Sequence, residues 1–292
     1  MSHNLQAATE QDFALPDHRV LALQGRHAVA FAQAQFMNDV ALLGDGEWQW
    51  NGWLTPKGRV VALFALLRRD AETLWLLLPD AEPATLASQL KRYVFRSNVA
   101  FHVRDDLGVV GAFAAPVQAC GAASAEVEAG VELDLSGEGG PRRLRIGEVP
   151  AANDELQQSR WRTFDMQHGF PRLTGEQVEQ WTPQQLSLDR LKAYSVKKGC
   201  YPGQEIVART HFLGQAKRGL MRLQGDGLGD IGDVMAGDAQ GPATTSARPI
   251  GRLVCAEHTE GLAVLPLDAG QGPFATAGQP CRRLPLQDGL AR

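Results

Sequence analysis

The segment Lys197–Arg218, KKGCYPGQEIVARTHFLGQAKR, separates two parts of the chain whose hydrophobic patterns do not fit one architecture. Before it, apolar runs of strand length such as Thr73–Leu78 (TLWLLL) alternate with helical stretches such as the RHAVAFAQAQFM that follows Gly25. That is the pattern of an α+β body. After it come only short strands punctuated by Gly and Asp. Arg218–Leu223 alternates, GDGLGDIGD is a loop, and Ile250–Glu257 with Gly261–Leu267 predicts a hairpin across His258–Glu260. Gly278–Leu286 reads as an edge strand weakened by Pro280 and Pro285. A small β-barrel appended to a larger α+β body is the architecture these patterns predict.

Within the body, Arg19–Gln24 is a strand, and Asn38-Asp39 closes the helix after it. Thr55-Pro56-Lys57-Gly58 is a turn by its own chemistry, with Pro second and Gly fourth. Pro79-Asp80 is expected to cap a helix reaching about Phe95, and Val99–Val103 returns as a strand. The segment Gly108–Gly147 predicts a strand, an Ala-rich helical piece from about Gln118 to Glu128, and two short strands separated by an exposed SGEGGP turn. Asn153 is placed to cap a helix that carries Leu156, Trp161 and Phe164 and ends at Gly169.

At 292 residues the chain is long for one ordinary domain, and 21% charged with 44% hydrophobic residues is a globular composition. No run approaches the ~18 apolar residues needed to span a bilayer. The N-terminus MSHNLQAATEQDF has neither an apolar signal core nor an Arg-rich amphipathic character, so cytoplasmic residence is the expectation. Cys120, Cys200, Cys255 and Cys281 are too far apart for a zinc or cluster-ligand pattern, and the histidines form no i, i+4 pair, so no metal site is expected. The three cysteines other than Cys200 read as small core residues. The G-x-G-x-G at Gly225, Gly227 and Gly229 has no following helix and carries no dinucleotide signal.

The dividing segment holds five cations against the single carboxylate of Glu205, a charge of +4 in a chain of net −4. Pro202 favours helix entry, Glu205 suits a first turn and Gly214 a stop, which predicts a helix from about Pro202 to about Leu213. Cys200 then sits at its positive end beside Lys198, and both favour a thiolate. His211 lies roughly 16 Å along the chain from Cys200, too far for a dyad. The competing reading is a strand-to-helix turn with a buried Cys and solvated lysines.

Lys198-Gly199-Cys200-Tyr201 followed by Gly203-Gln204-Glu205 resembles the K-G-C-[FY]-x-G-Q-E signature of the YgfZ family. These are folate-binding relatives of the glycine-cleavage T-protein, implicated in iron–sulfur protein maintenance and, through it, in tRNA modification. The similarity extends through Gln33, Gln35, Asp39 and Val40, Thr55-Pro56-Lys57-Gly58 and Gly169-Phe170-Pro171. It implies a T-protein-like three-lobed ring of antiparallel sheets and helices with a C-terminal β-barrel. Residues 1–48 and 110–215 would form one discontinuous α+β lobe, 49–109 a second, and 216–292 the barrel.

The implied cofactor is tetrahydrofolate or another reduced folate in a central channel. The implied partners are iron–sulfur client or assembly proteins, with neither a membrane nor direct nucleic-acid contact. Cys200 with Lys198 would supply the thiol chemistry, and Trp161, His18, Tyr201, Gln204, Glu205 and Arg209 the cofactor contacts. Trp161 stands where the family carries a Trp against the folate, although spacing alone reads it as a packing residue. His18 replaces a second family Trp, stacks less area and can carry charge, and Ser187 stands where the family more often has Asn.

Two other functions compete. In a folate-dependent aminomethyltransferase like the T-protein, a catalytic Asp ends a strand before a helix. Here Leu78-Pro79-Asp80 reads as a helix cap. A direct tRNA-binding module is disfavoured by the net charge of −4 and the lack of a long basic stripe.

Overall fold

The structure, a computed structural model, describes residues 11–128, 130–214, 216–228, 231–236 and 249–292. The N-terminal ten residues read for targeting signals and Gly229 of the glycine run lie outside them. In chain order the body comprises β1 (Phe13–Ala14), β2 (Arg19–Gln24), α1 (Ala28–Gln35), β3 (Trp48–Leu54), β4 (Val60–Arg68), β5 (Thr73–Leu78), α2 (Pro83–Lys91) and β6 (Ala100–Val103). It continues with β7 (Gly108–Ala112), β8 (Ala125–Val127), β9 (Gly130–Asp134), β10 (Arg143–Gly147), α3 (Glu155–Gln167) and α4 (Gln204–Phe212). The C-terminal strands are β11 (Arg218–Gln224), β12 (Asp233–Ala236), β13 (Pro249–Glu257), β14 (Glu260–Pro266), β15 (Phe274–Thr276) and β16 (Gln279–Leu284).

One body sheet has the order β3-β4-β5-β2-β6 and the other β1-β7-β10-β9-β8, with every pairing antiparallel. The first is buried on both faces, which is why TLWLLL is continuously apolar where a half-exposed strand would alternate. Leu21, Leu23, Leu74 and Leu76 enter one core with Phe31 of α1 and Leu86 of α2. Their neighbours Val20, Ala22, Trp75 and Leu77 enter a second core shared with the other sheet and Trp161. Because β2 pairs with β5 and β6, it belongs to this sheet, and α1 packs into the same core. The sheets therefore do not divide at residue 48, where the sequence reading places a lobe boundary.

Three local expectations are corrected. The piece Gln118–Glu128 is not helical. Its start is held by the Glu132 carboxylate, which accepts the backbone N–H groups of Val117, Gln118 and Ala119 at 2.8, 2.8 and 3.0 Å, and its end pairs with β9 as β8. The α3 N-cap is Asp154, whose side chain accepts the Gln157 N–H, while Asn153 accepts from the Gln158 side chain. SGEGGP is also not a free turn, because Gly137 and Gly139 lie against His168 and Phe164.

The C-terminal strands close a barrel in the order β11-β14-β13-β12-β15-β16. The expected hairpin is present as β13 and β14. The expected edge strand is not an edge, since β16 pairs with β15 on one side and, through Arg222↔Leu284, with β11 on the other. Closure removes the free edge that the two prolines seemed to mark.

Candidate functional site

A cavity of about 650 Å³ lies between the β2–β5 end of the first body sheet, α3 and the barrel strand β13, and it is lined by Arg19, Asp80, Arg162, Arg172, Cys255 and Glu257, among others. Asp80 lies just past the end of β5 but does not cap α2, whose N-cap is Glu82. Its carboxylate accepts Arg172 Nε at 2.5 Å and the Leu173 N–H at 3.0 Å, and Arg172 Nη2 donates to the Pro79 carbonyl at 2.7 Å. Burial pushes the Asp80 carboxyl above its usual range, and the Arg172 contacts offset only part of that shift.

Also lining the cavity, Arg162 grips Glu257 with two bonds of 2.7 and 2.9 Å. Burial works against the Glu257 carboxylate, but the Arg162 bonds outweigh it and hold the group below its ordinary range. Cys255, beside the Arg172–Asp80 pair, packs against the core but is only half-buried, and burial pushes its thiol up to about 12. Arg172 Nη1 is buried without a hydrogen-bond partner. The cavity therefore offers fixed cations and a carboxylate of raised pKa to a polar guest.

Alternation along the chain entering β2 sends Asp17 and Arg19 into this cavity and His18 out of it. His18 instead lines a separate space of about 400 Å³ and meets the Trp161 ring edge-on at 6.4 Å. Burial, then the charges of Arg172, Arg142 and Arg162, drive its pKa well below 6.5, so it is a neutral imidazole and not the charge-carrying replacement expected. Trp161 is 0% exposed. The Arg142 guanidinium sits 4.1 Å from its ring centre, Phe13 and Phe113 flank it at 5.9 Å, and a Cβ on Gly111 would lie 2.8 Å from it. Trp161 packs α3 and presents no face to a ligand.

The segment before α4 is pinned from below. Lys198 is buried, and its ammonium donates to the carbonyls of Gln33 and Phe36 at 2.5 Å and of Asn38 at 3.0 Å, all at the end of α1. Those three bonds use all three of its donors, leaving none for Cys200. Burial lowers its pKa to about 8, against the pull of Asp39. Tyr201 is buried with its hydroxyl on the Ser195 carbonyl at 3.1 Å, and the Gln204 side chain donates to the Lys198 carbonyl at 2.9 Å. Gly203, at φ 80°, lies against Thr55 and Gly58, where a Cβ would come within 2.6 Å of backbone. Cys200 is exposed above this anchorage.

Among curated proteins, the chain is 31% identical over 215 residues to an uncharacterized protein of Haemophilus influenzae, with 72% of each chain covered. It is 29% identical over 228 residues to the tRNA-modifying protein YgfZ of Colwellia psychrerythraea, covering 72% of this chain and 70% of that one. To its namesake in Klebsiella pneumoniae it is 29% identical over 231 residues, with the same coverage. The chain belongs to the YgfZ family. No family model matches it. A solved aminomethyltransferase T of the glycine cleavage system from Bartonella henselae superposes with a TM-score of 0.71, covering 97% of this chain and 88% of that one at 12% identity. That likeness is one of fold.

The YgfZ signature thus divides by depth. Lys198, Tyr201, Gly203 and Gln204 build the anchorage, while Cys200 and Glu205 are exposed, as is Arg209 beyond the signature. None of the expected contacts Trp161, His18, Tyr201, Gln204, Glu205 and Arg209 lines the central cavity. The α4 helix starts two residues later than expected, at Gln204, so Cys200 lies further ahead of its N-terminus than expected. Ser187 accepts the Leu220 N–H at 3.0 Å and ties the loop to the barrel. Of the cavity's charged residues, Asp80 is expected from the sequence only as a helix cap, and Arg172, Arg162 and Glu257 are not singled out by it at all. Partners 92 and 95 residues apart, as in Arg172–Asp80 and Arg162–Glu257, leave no local spacing to read.

Proposed function

We propose that the protein is a cytoplasmic folate-binding accessory protein in iron–sulfur cluster assembly or repair, with Cys200 as its working thiol, and that it supports tRNA modification indirectly. The observation carrying this reading is the separation of two features: a cavity walled by arginines and a buried carboxylate, and an exposed cysteine held outside it on a rigid anchorage. The volume of about 650 Å³ lies within the roughly 300–1,000 Å³ of small-molecule sites. Arg19, Arg162 and Arg172 suit the anionic tail of a folate, and Asp80 suits the donor edge of a pterin. The relatives named tRNA-modifying proteins support the cellular half of the reading.

Calorimetric titration with tetrahydrofolate is expected to be saturable and to weaken in Arg162→Ala. Cys200→Ser is expected to keep that affinity yet fail to restore an iron–sulfur enzyme in cells lacking the native copy. Absence of saturable binding removes the folate half, and full complementation by Cys200→Ser removes the thiol half.

One observation favours the aminomethyltransferase as a second reading. Asp80 faces the cavity, so the helix-cap argument against a catalytic carboxylate no longer holds. Turnover of a lipoyl-bound aminomethyl substrate, lost in Asp80→Asn, would establish it in place of the first reading.

A further inference from the structure

The helix that follows the Cys200 loop is shallowly seated, with Val207 its only buried residue and Glu205, Arg209, His211 and Phe212 exposed. Its inner side is fixed at Gly58, where a Cβ would lie 2.9 Å from the Ile206 side chain, which brings Lys57 alongside it. Its end presents Phe212 and Leu213, 66% and 84% exposed, with the His211 ring edge-on to Phe212 at 4.8 Å. Lys57, Lys197 and Arg209 are exposed around the same loop, and Glu205 is the one carboxylate on the helix. A cationic, apolar-tipped face thus surrounds an exposed cysteine on a chain of net charge −4.

We infer that this face docks an acidic segment of a partner protein that also carries an apolar side chain. The inference rests on the reading of Cys200 as the working thiol and adds the chemistry of what approaches it. Charge complementarity selects an acidic partner, and the exposed Phe212-Leu213 tip selects one with an apolar residue to cover it. RNA fits less well. Phosphate binding needs many cations, whereas this face has three with a carboxylate among them, and Leu213 gives a base nothing to stack on.

The test measures thiol–disulfide exchange at Cys200 in the full chain with Cys120, Cys255 and Cys281 replaced by Ser. The probes are two synthetic peptides, each bearing one cysteine activated as a mixed disulfide with 2-nitro-5-thiobenzoate and flanked by leucines, one with glutamates and one with lysines. In the reaction the Cys200 thiolate attacks the peptide sulfur, a Cys200–peptide disulfide forms, and the coloured thiobenzoate leaves with the electron pair. The glutamate peptide is expected to react about tenfold faster at low ionic strength, an advantage that shrinks as salt is added.

Replacing Lys57, Lys197 and Arg209 together by Glu should reverse the preference, Phe212→Ser should slow the glutamate peptide, and Lys91→Glu on distant α2 should change neither rate. Equal rates for the two peptides, or an unchanged order in the triple variant, would overturn the inference. So would protection of Cys200 by tRNA at physiological salt if the glutamate peptide gains no advantage. These rates require neither folate nor complementation, so a failure here is distinct from a failure of the proposed thiol role.

Discussion

The Lys198 ammonium donates to the Phe36 carbonyl at 2.5 Å, which makes the signature lysine a cap on the end of α1. A cation there meets the unpaired carbonyls and the negative end of the helix, so its removal loosens the Cys200 loop from below. Lys198→Ala is expected to cost roughly 2–4 kcal/mol, measured by urea unfolding.

The same buried lysine has a pH signature. Its folded pKa of about 8 is below the ordinary 10.5, so between those values the unfolded chain binds more protons and stability rises with pH. The contribution is complete above the unfolded value and is lost as pH falls through about 8. Unfolding midpoints of the wild type minus those of Lys198→Met, followed from about pH 7.5 to about pH 9.5, should show that rise. A flat difference would refute it.

Asp80 and Arg172 should behave as a buried pair. Arg172→Ala strands the carboxylate and is expected to cost about 3–5 kcal/mol, whereas replacing both residues by Leu should cost clearly less. A double-mutant cycle on unfolding free energies checks this, and additive losses would mean that the two residues are not coupled.

Trp161→Ala should destabilise the protein by about 3–5 kcal/mol because it opens a cavity beneath α3. Trp161→Phe should be milder and should leave tetrahydrofolate affinity unchanged in the calorimeter. A large loss of affinity with intact stability would instead put the ring in contact with the ligand.

The cysteines should alkylate in an order set by exposure and desolvation. Cys120 and Cys200 are exposed, while burial pushes Cys255 to about 12 and Cys281 to about 11. Mass spectrometry after brief iodoacetamide treatment at neutral pH should find the first two modified and the last two intact. Early labelling of Cys255 would mean that the cavity wall opens in solution.

The chain's own pattern determined much of this protein. The change at Arg218 from long apolar runs to short Gly-punctuated strands marks the barrel, and Pro202 with Glu205 in the first turn starts α4 within two residues of its true position. These features are local, written in backbone preference and in the spacing of apolar side chains. Tertiary structure alone decided where the side chains of the signature point and what faces the cavity. Lys198 reads as a solvated cation beside a thiol until the end of α1, some 160 residues earlier, presents three carbonyls to it. Asp80 reads as a helix cap until Arg172, 92 residues further along the chain, meets its carboxylate. Trp161 reads as packing by its spacing and as a ligand platform by the family resemblance until Arg142 and Phe13 occupy its surroundings. In each case the deciding partner is distant in sequence, and burial, not residue type, sets the charge state and the role of the group.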